Sequence, residues 1–187
     1  MEIRLAIPEI QKDSIVDGEG IRSVIWTQGC IHNCPGCHNP ETHSFRNGYL
    51  VDVEEIKEQL NNLIGQDGVT FSGGDPMEQA SACAILAKHC QSLGLNVWCY
   101  TGYTFEELLE KSKIFPNIRD FLENIDILVD GKFKLEEKSY EVIFRGSKNQ
   151  RLIDVRKSLL ENKIILVTKY SNSEKNQKGR KNRYMYV

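Results

Sequence analysis

Short apolar runs alternate along this chain with longer stretches in which apolar residues recur every three or four positions. The short runs predict strands at residues 23–27, 68–72, 96–100, 126–130, 140–145 and 164–168. The longer stretches predict helices at residues 52–64, 77–93, 117–124 and 151–160, and a short helix beginning after Thr104. Because strands alternate with helices, we expect an α/β fold with a mainly parallel sheet.

The ends of several predicted helices carry recognisable capping residues. Asp52 is followed three residues later by Glu55, and Thr104 by Glu107, which is the spacing of a capping box. Gly94 follows the 77–93 stretch, and a glycine at this point is typical of a helix C-terminus.

Polar and glycine-containing segments follow four of the predicted strands. They lie at residues 28–39, 73–76, 101–103 and 130–132. In parallel sheets ligands bind beyond the carboxyl ends of the strands. We therefore expect these four segments to meet at one edge of the sheet and to form a composite site.

Composition excludes some function classes. The 187 residues carry 24 basic and 26 acidic side chains, so no overall basic charge points to nucleic acid. The longest apolar run, residues 164–167, is far shorter than the roughly 20 residues of a membrane span. The first ten residues lack the apolar core of a signal peptide. We expect a cytoplasmic protein that binds neither nucleic acid nor a membrane.

The length predicts one domain, which we place at residues 1–170. Residues 171–187 differ from it, since they contain five basic residues and one acidic residue. We expect this segment to be a basic, poorly ordered C-terminal tail.

Three of the six cysteines lie within eight residues, with the spacing C-x3-C-x2-C. With a histidine as fourth ligand they fit a zinc site, and two of them fit a thioredoxin-like redox pair or, with His38, covalent haem attachment. Three thiolates on one loop also suit a 4Fe–4S cluster that leaves one iron open. The clustered cysteines are Cys30, Cys34 and Cys37. The others, expected to be small buried residues, are Cys83, Cys90 and Cys99.

The cysteine spacing and several further segments resemble the radical S-adenosylmethionine enzymes. The sequence G-G-D-P at residues 73–76 is similar to the glycine-rich motif of that superfamily, and V-D-G-E-G-I-R at residues 16–22 is similar to the activases of glycyl radical enzymes. Three segments then resemble the activating proteins of anaerobic (class III) ribonucleoside-triphosphate reductases. These are W-C-Y-T-G-Y at 98–103, D-I-L-V-D-G-K-F at 126–133 and F-R-G-S-K-N-Q-R-L-I-D at 144–154.

The resemblance spans residues 13–157 and implies both a fold and an activity. The implied fold is an incomplete (β/α) barrel that is open on one side. The implied cofactors are a 4Fe–4S cluster and S-adenosylmethionine, whose reductive cleavage gives a 5′-deoxyadenosyl radical that takes hydrogen from a glycine of the reductase. The implied partners are the reductase and an electron donor such as flavodoxin or ferredoxin.

The resemblance also implies roles for individual residues. Cys30, Cys34 and Cys37 would hold three irons of the cluster. Because Gly36 stands where related enzymes often carry an aromatic residue, His38 is the candidate for contact with the adenine ring. Arg145 and Gln150 are candidates for contact with ligand or partner. The implied cofactor contacts are Gly36, Cys37, His38, Gly73, Gly74, Asp75, Thr101, Asp130 and Lys132.

Two other functions stay open at this point. One is a different small radical S-adenosylmethionine enzyme, either similar to 7-carboxy-7-deazaguanine synthase or an activase of another glycyl radical enzyme. The other is a non-catalytic zinc module, which depends only on the cysteine and histidine cluster. The 144–154 segment argues against the first, and the lack of a second cysteine pair argues against the second.

Overall fold

A computed structural model describes residues 1–170, and the basic tail expected at residues 171–187 lies outside the described residues. In the described part, strands and helices alternate as the α/β prediction requires. The strands are β1 (Glu2–Leu5), β2 (Gln11–Ser14), β3 (Arg22–Thr27), β4 (Tyr49–Asp52), β5 (Gly68–Gly73), β6 (Asn96–Tyr100), β7 (Ile127–Asp130) and β8 (Arg151–Asp154). The helices are α1 (Val53–Asn61), α2 (Ala80–Ser92), α3 (Phe105–Ser112), α4 (Pro116–Leu122) and α5 (Val155–Glu161).

All of these strands belong to one sheet with the order β4-β1-β3-β5-β6-β7-β8, and β2 pairs with β3 beside this path. The four central strands, β3, β5, β6 and β7, run parallel to one another. The outer strands are antiparallel to their neighbours. The fold is therefore a mixed α/β fold with a parallel centre, as predicted, and its sheet is not closed.

The two faces of the sheet pack against different parts of the protein. On β6, Val97 and Cys99 point to the helices and belong to the main core, whereas Trp98 belongs to a smaller cluster with Tyr100 against it. This alternation follows from the two-residue period of a strand. The helices cover one face, so the other is left for loops that follow the strands.

The predicted helix caps are largely confirmed. Thr104 and Glu107 form the expected capping box, in which the Glu107 amide donates to the Thr104 hydroxyl and the Thr104 amide donates to the Glu107 carboxylate. Asp52 caps α1 by accepting the Glu54 amide at 2.9 Å rather than through a box with Glu55. The predicted 77–93 helix begins with a 3-10 turn at Pro76–Gln79, and α2 follows it.

The predicted strand at residues 140–145 is wrong, because this segment is an irregular loop. Phe144 has a φ of +57°, a left-handed conformation that a strand cannot contain. The Tyr100 hydroxyl donates to the Phe144 carbonyl at 3.0 Å and so uses a group that a neighbouring strand would need. The loop lies over the carboxyl end of β6 instead of extending the sheet.

The C-terminal part of the prediction also needs correction. Residues 151–160 are not one helix, because the first four form β8, which pairs antiparallel with β7. Asp154 then caps α5 by accepting the Lys157 amide. Residues 164–168 do not form a strand but make a single bridge between Leu166 and Ile153. The sequence patterns also missed the short strands β1, β2 and β4.

No helix within residues 1–170 has both the length and the apolar character needed to cross a membrane.

Candidate active site

The expected meeting of four segments at the carboxyl edge of the sheet is confirmed. A cavity of about 630 Å³ lies there, and its wall includes residues from the loops after β3, β5, β6 and β7. The loop at residues 133–150 and the segment before β3 complete the wall. The predicted site residues that line it are Cys30, Cys34, Cys37, His38, Gly73, Gly74, Thr101, Arg145 and Gln150.

The cysteine loop is held by backbone hydrogen bonds to two neighbouring segments. The Gly29 amide donates to the Thr42 carbonyl at 2.8 Å, and the Cys30 amide donates to the His43 carbonyl at 3.1 Å. On the other side, the Asp75 amide donates to the Gly29 carbonyl at 2.8 Å. The loop is therefore fixed at its entry before the three free, half-buried thiols follow.

Burial and backbone amides act in opposite directions on these thiols. Burial raises the pKa of Cys30 to about 11, against the opposing effect of amide hydrogen bonds from His32 and Asn33. Burial also raises the pKa of Cys34, and the Phe133 amide opposes this shift. A bound cation is what would bring such thiols into the thiolate form, since metal ligation removes the proton.

Gly73 and Gly74 allow the β5 loop to approach the cysteine loop closely. A Cβ on Gly74 would lie 2.3 Å from the Gly29 carbonyl oxygen, and one on Gly73 would lie 2.4 Å from the Thr27 carbonyl oxygen. Gly73 also has a φ of +100°, which favours glycine. These contacts require the absence of side chains between the two loops, and both glycines remain on the cavity wall.

Asp75, a predicted cofactor contact, is buried, and its carboxylate forms hydrogen bonds within the protein. Its carboxylate accepts hydrogen bonds from the Thr101 hydroxyl, the Gly102 amide and the Met77 amide, and His32 Nε2 lies 2.8 Å away. Thr101 lines the cavity, but its hydroxyl is directed to Asp75. The structure thus joins these two predicted residues to each other.

Asp130 and Lys132 do not line the central cavity. Asp130 is buried, accepts the Phe105 amide at 2.8 Å and forms an ion pair with Arg151. Lys132 faces a second cavity on the outside, which it shares with Glu106. Gly131 between them lines both cavities.

Gly36 is also placed away from the wall, whereas His38 lies on it. Gly36 has a φ of +71°, and a Cβ there would meet the Leu135 side chain at 2.9 Å. The His38 ring lies 5.0 Å from the Phe133 ring, centroid to centroid. Phe133 lines the cavity and was not singled out from the sequence, although it ends the D-I-L-V-D-G-K-F segment.

Gln150 shapes the far wall by holding a loop. Its side-chain oxygen accepts the Gly146 amide at 2.8 Å, and its side-chain nitrogen donates to the Gly131 carbonyl at 3.0 Å. Arg145 donates to the Gln150 carbonyl. Sequence patterns missed the apolar part of this wall because the residues lie in irregular segments. They are Ile15, Val16, Tyr140, Val142, Ile143 and Phe144.

The donor set fits an iron–sulfur cluster. Three cysteine thiols lie on one wall of a cavity, and an amide N–H acts on each of them, with the Asn39 amide donating to Cys37 Sγ at 3.4 Å, as is usual for the ligands of such clusters. Within residues 1–170, no three His, Cys, Asp or Glu side chains are close enough together to hold a single metal ion.

Comparison with known proteins places the chain in a class and then in a family. A family model described as a 4Fe-4S single cluster domain matches residues 16–153. Three curated relatives, all named anaerobic ribonucleoside-triphosphate reductase-activating protein, come from Salmonella typhi, Haemophilus influenzae and Escherichia coli K12. They are 36%, 34% and 33% identical to this chain over 144, 146 and 144 residues. The matches cover 73% of this chain and 90%, 89% and 90% of those proteins.

The chain therefore belongs to the family of anaerobic ribonucleoside-triphosphate reductase-activating proteins. This outcome confirms the resemblance drawn from the motifs and favours an iron–sulfur cluster over the zinc, thioredoxin-like and haem alternatives.

Proposed function

We propose that this protein activates an anaerobic ribonucleoside-triphosphate reductase in the cytoplasm, as the names of its relatives indicate for them. The observation that carries the proposal is the meeting of three half-buried cysteines with the Gly73–Gly74 turn on one cavity. A cavity of about 630 Å³ has room for a ligand of the size of S-adenosylmethionine. The proposal includes the incomplete (β/α) barrel as the fold, supported by the open sheet with its parallel centre.

In this proposal Cys30, Cys34 and Cys37 hold three irons of a 4Fe–4S cluster. When bound, the reduced cluster would supply the electron for cleavage of S-adenosylmethionine to methionine and a 5′-deoxyadenosyl radical, which would take hydrogen from a glycine of the reductase. The protein contributes position and exclusion of water. The electron comes from a small donor protein such as flavodoxin or ferredoxin.

Different residues of the cavity wall would contact different parts of S-adenosylmethionine. The Gly73–Gly74 turn offers backbone close to the cysteines, where the methionyl part would lie. His38 and Phe133 form an aromatic corner 5.0 Å across that suits the adenine ring. Asp75 acts from behind the wall, since its carboxylate holds the Thr101 turn in place.

The apolar rim gives the partner a place to dock. Ile15, Val16 and Tyr140 line the cavity mouth with 73%, 72% and 92% of their surface exposed. Exposed apolar side chains around a site typically mark a contact with another protein. We propose that this rim receives the glycine-bearing segment of the reductase.

An oxygen-free activation assay tests the proposal. The protein is reconstituted with iron and sulfide, reduced, and mixed with S-adenosylmethionine and the reductase, and the glycyl radical is recorded by electron paramagnetic resonance. A glycyl signal that requires both S-adenosylmethionine and this protein is expected. A missing glycyl signal while the cluster signal shows full reduction would contradict the proposal.

A further inference from the structure

His32 lies between two of the three cysteines and on the cavity wall, and its side chain is nearly buried. The imidazole is only 4% exposed, and its Nε2 lies 2.8 Å from Asp75 Oδ2. Its ring packs edge-on against Tyr103, with the centroids 4.5 Å apart. Asp75 Oδ2 already accepts from the Thr101 hydroxyl and the Gly102 amide, and we assign His32 Nε2 as a further donor to it. The cysteine loop is therefore anchored at its midpoint as well as at its entry.

The Asp75 carboxylate joins three loops at this anchor. Besides His32 from the cysteine loop, it accepts from the Thr101 hydroxyl and the Gly102 amide after β6, and from the Met77 amide on its own loop after β5. The fit around the imidazole is tight, since a Cβ on Gly102 would lie 2.3 Å from His32 Cδ2. The position of His32 thus depends on both neighbouring loops.

The backbone of the same residue faces the sulfur of Cys30. The backbone amides of His32 and Asn33 lower the pKa of Cys30 against the larger effect of burial. Asn33 has a φ of +45°, a left-handed conformation that turns the two successive amides to one side. A side chain fixed on Asp75 therefore fixes the peptide groups that solvate the Cys30 sulfur.

We propose that His32 is a positioning residue for the cluster, which acts by holding its own amide and that of Asn33 against the Cys30 sulfur. The proposal rests on the proposed function only in that Cys30 is a cluster ligand. Hydrogen bonds to ligand sulfurs stabilise the more negative, reduced state of a cluster, and they are among the factors that set its reduction potential. The His32–Asp75 contact therefore makes the cluster easier to reduce.

The reduction potential of the reconstituted, full-length protein tests this role. In His32→Ala the three cysteines remain, so iron and sulfide content should stay at the wild-type level. The ratio of reduced to oxidised cluster at a fixed potential should fall about tenfold, which equals a potential lower by about 59 mV for one electron. His32→Gln should restore most of the potential, because its amide nitrogen can also donate to Asp75. The control His89→Ala, which removes a half-buried histidine that contacts Asn61, should leave the potential unchanged.

A second variant carries the test if His32→Ala does not fold. Gly102→Ala keeps the histidine but forces the imidazole to move, and it should lower the potential in the same direction. A wild-type potential in either variant, with full iron content, would overturn the inference. So would a His32→Gln variant that behaves like His32→Ala. A wild-type protein that assembles no four-iron cluster would instead count against the proposed function.

Discussion

Arg151 and Asp130 lie opposite each other on the paired strands β8 and β7, and Arg151 Nε donates to Asp130 Oδ1 at 2.9 Å. Arg151 also donates to the Glu106 carboxylate at the start of α3, and Asp130 accepts the Phe105 amide there. One buried carboxylate thus ties an antiparallel edge strand and a helix to the parallel centre. This is a structural role at a position for which the motif suggested contact with the ligand.

Asp130→Asn should therefore destabilise the fold more than it weakens ligand binding. The new amide would face two donors, and we expect the free energy of unfolding to fall by about 3 kcal/mol. Glu106→Gln, which removes a mostly exposed partner of the same arginine, should cost less than about 1 kcal/mol. Urea unfolding measures both changes. If Asp130→Asn lost S-adenosylmethionine binding at unchanged stability, Asp130 would be a ligand contact and not a structural residue.

The central part of the fold was predictable because its signals are local. The runs at β3, β5, β6 and β7 are short, rich in β-branched and aromatic residues and largely buried on both faces, as central parallel strands require. The structure of residues 151–160 was not predictable from local signals, since Leu152, Ile153 and Val155 suit a helical period as well as a strand. Pairing with β7, a contact between distant segments, decides that case. The same holds for β1, β2 and β4, which are four residues long and depend on partners elsewhere in the chain.

In the candidate site, too, features with a local sequence signal were predictable and features that depend on distant contacts were not. The placement of the cysteines and the glycine pair on the cavity was predictable because both follow strands with a clear local pattern. The apolar wall was not, because Tyr140 and Phe144 lie in a loop whose path is set by contacts such as the Tyr100 hydroxyl on the Phe144 carbonyl. The buried His32–Asp75 pair was missed since no spacing in the sequence relates residues 43 positions apart.

Gly74→Ala should weaken S-adenosylmethionine binding strongly. The added methyl group would meet the Gly29 carbonyl oxygen at 2.3 Å, so the β5 and cysteine loops must separate. We expect at least a tenfold loss of affinity, or about 1.4 kcal/mol, by oxygen-free calorimetry. Gly94→Ala is the control, because its φ of +76° brings backbone strain of about 1 kcal/mol but no atom lies within 4 Å of the new Cβ. Equal affinities in the two variants would show that the close approach is unimportant.

Single changes of the cysteines should separate ligands from packing residues. Cys30→Ala, Cys34→Ala and Cys37→Ala should each lose the four-iron cluster, measured as iron and sulfide per chain and by its spectrum. Cys83→Ala should keep the cluster and lower the unfolding free energy by about 1 kcal/mol, since Cys83 is fully buried in the helix-facing core. Cluster loss in a folded Cys83→Ala protein would show that the ligand assignment is wrong.

Acid should weaken the start of α3. The Thr104 amide lowers the pKa of Glu107, and Arg151 lowers that of Glu106. A carboxylate whose pKa is lower in the folded state stabilises the fold above its unfolded pKa of 4.5, and this contribution is lost as the pH falls through the folded value. At pH 7, Glu107→Gln should lower the unfolding free energy by about 0.5–1 kcal/mol.

Thermal unfolding of the metal-free protein between pH 7 and pH 3.5 checks this sign. The gap between wild type and Glu107→Gln should narrow with acidification, because a protonated Glu107 resembles the glutamine. Glu110→Gln, on the same helix and paired with exposed Lys113, should change stability by less than about 0.5 kcal/mol at any pH. A gap that widens in acid would contradict the assignment.

The apolar rim should matter for the partner and not for the cofactor. Val16→Ser and Tyr140→Ser remove apolar surface at the cavity mouth, where both side chains are mostly exposed. Exposed substitutions of this kind change stability by about 0.5 kcal/mol or less. We expect cluster content and S-adenosylmethionine binding at wild-type levels, with glycyl radical formation at limiting reductase reduced about tenfold. Ile64→Ser is the matched control, since Ile64 is 90% exposed in the loop before β5, at the opposite edge of the sheet. If this control slowed activation as much as the rim variants do, the rim would not be the docking surface.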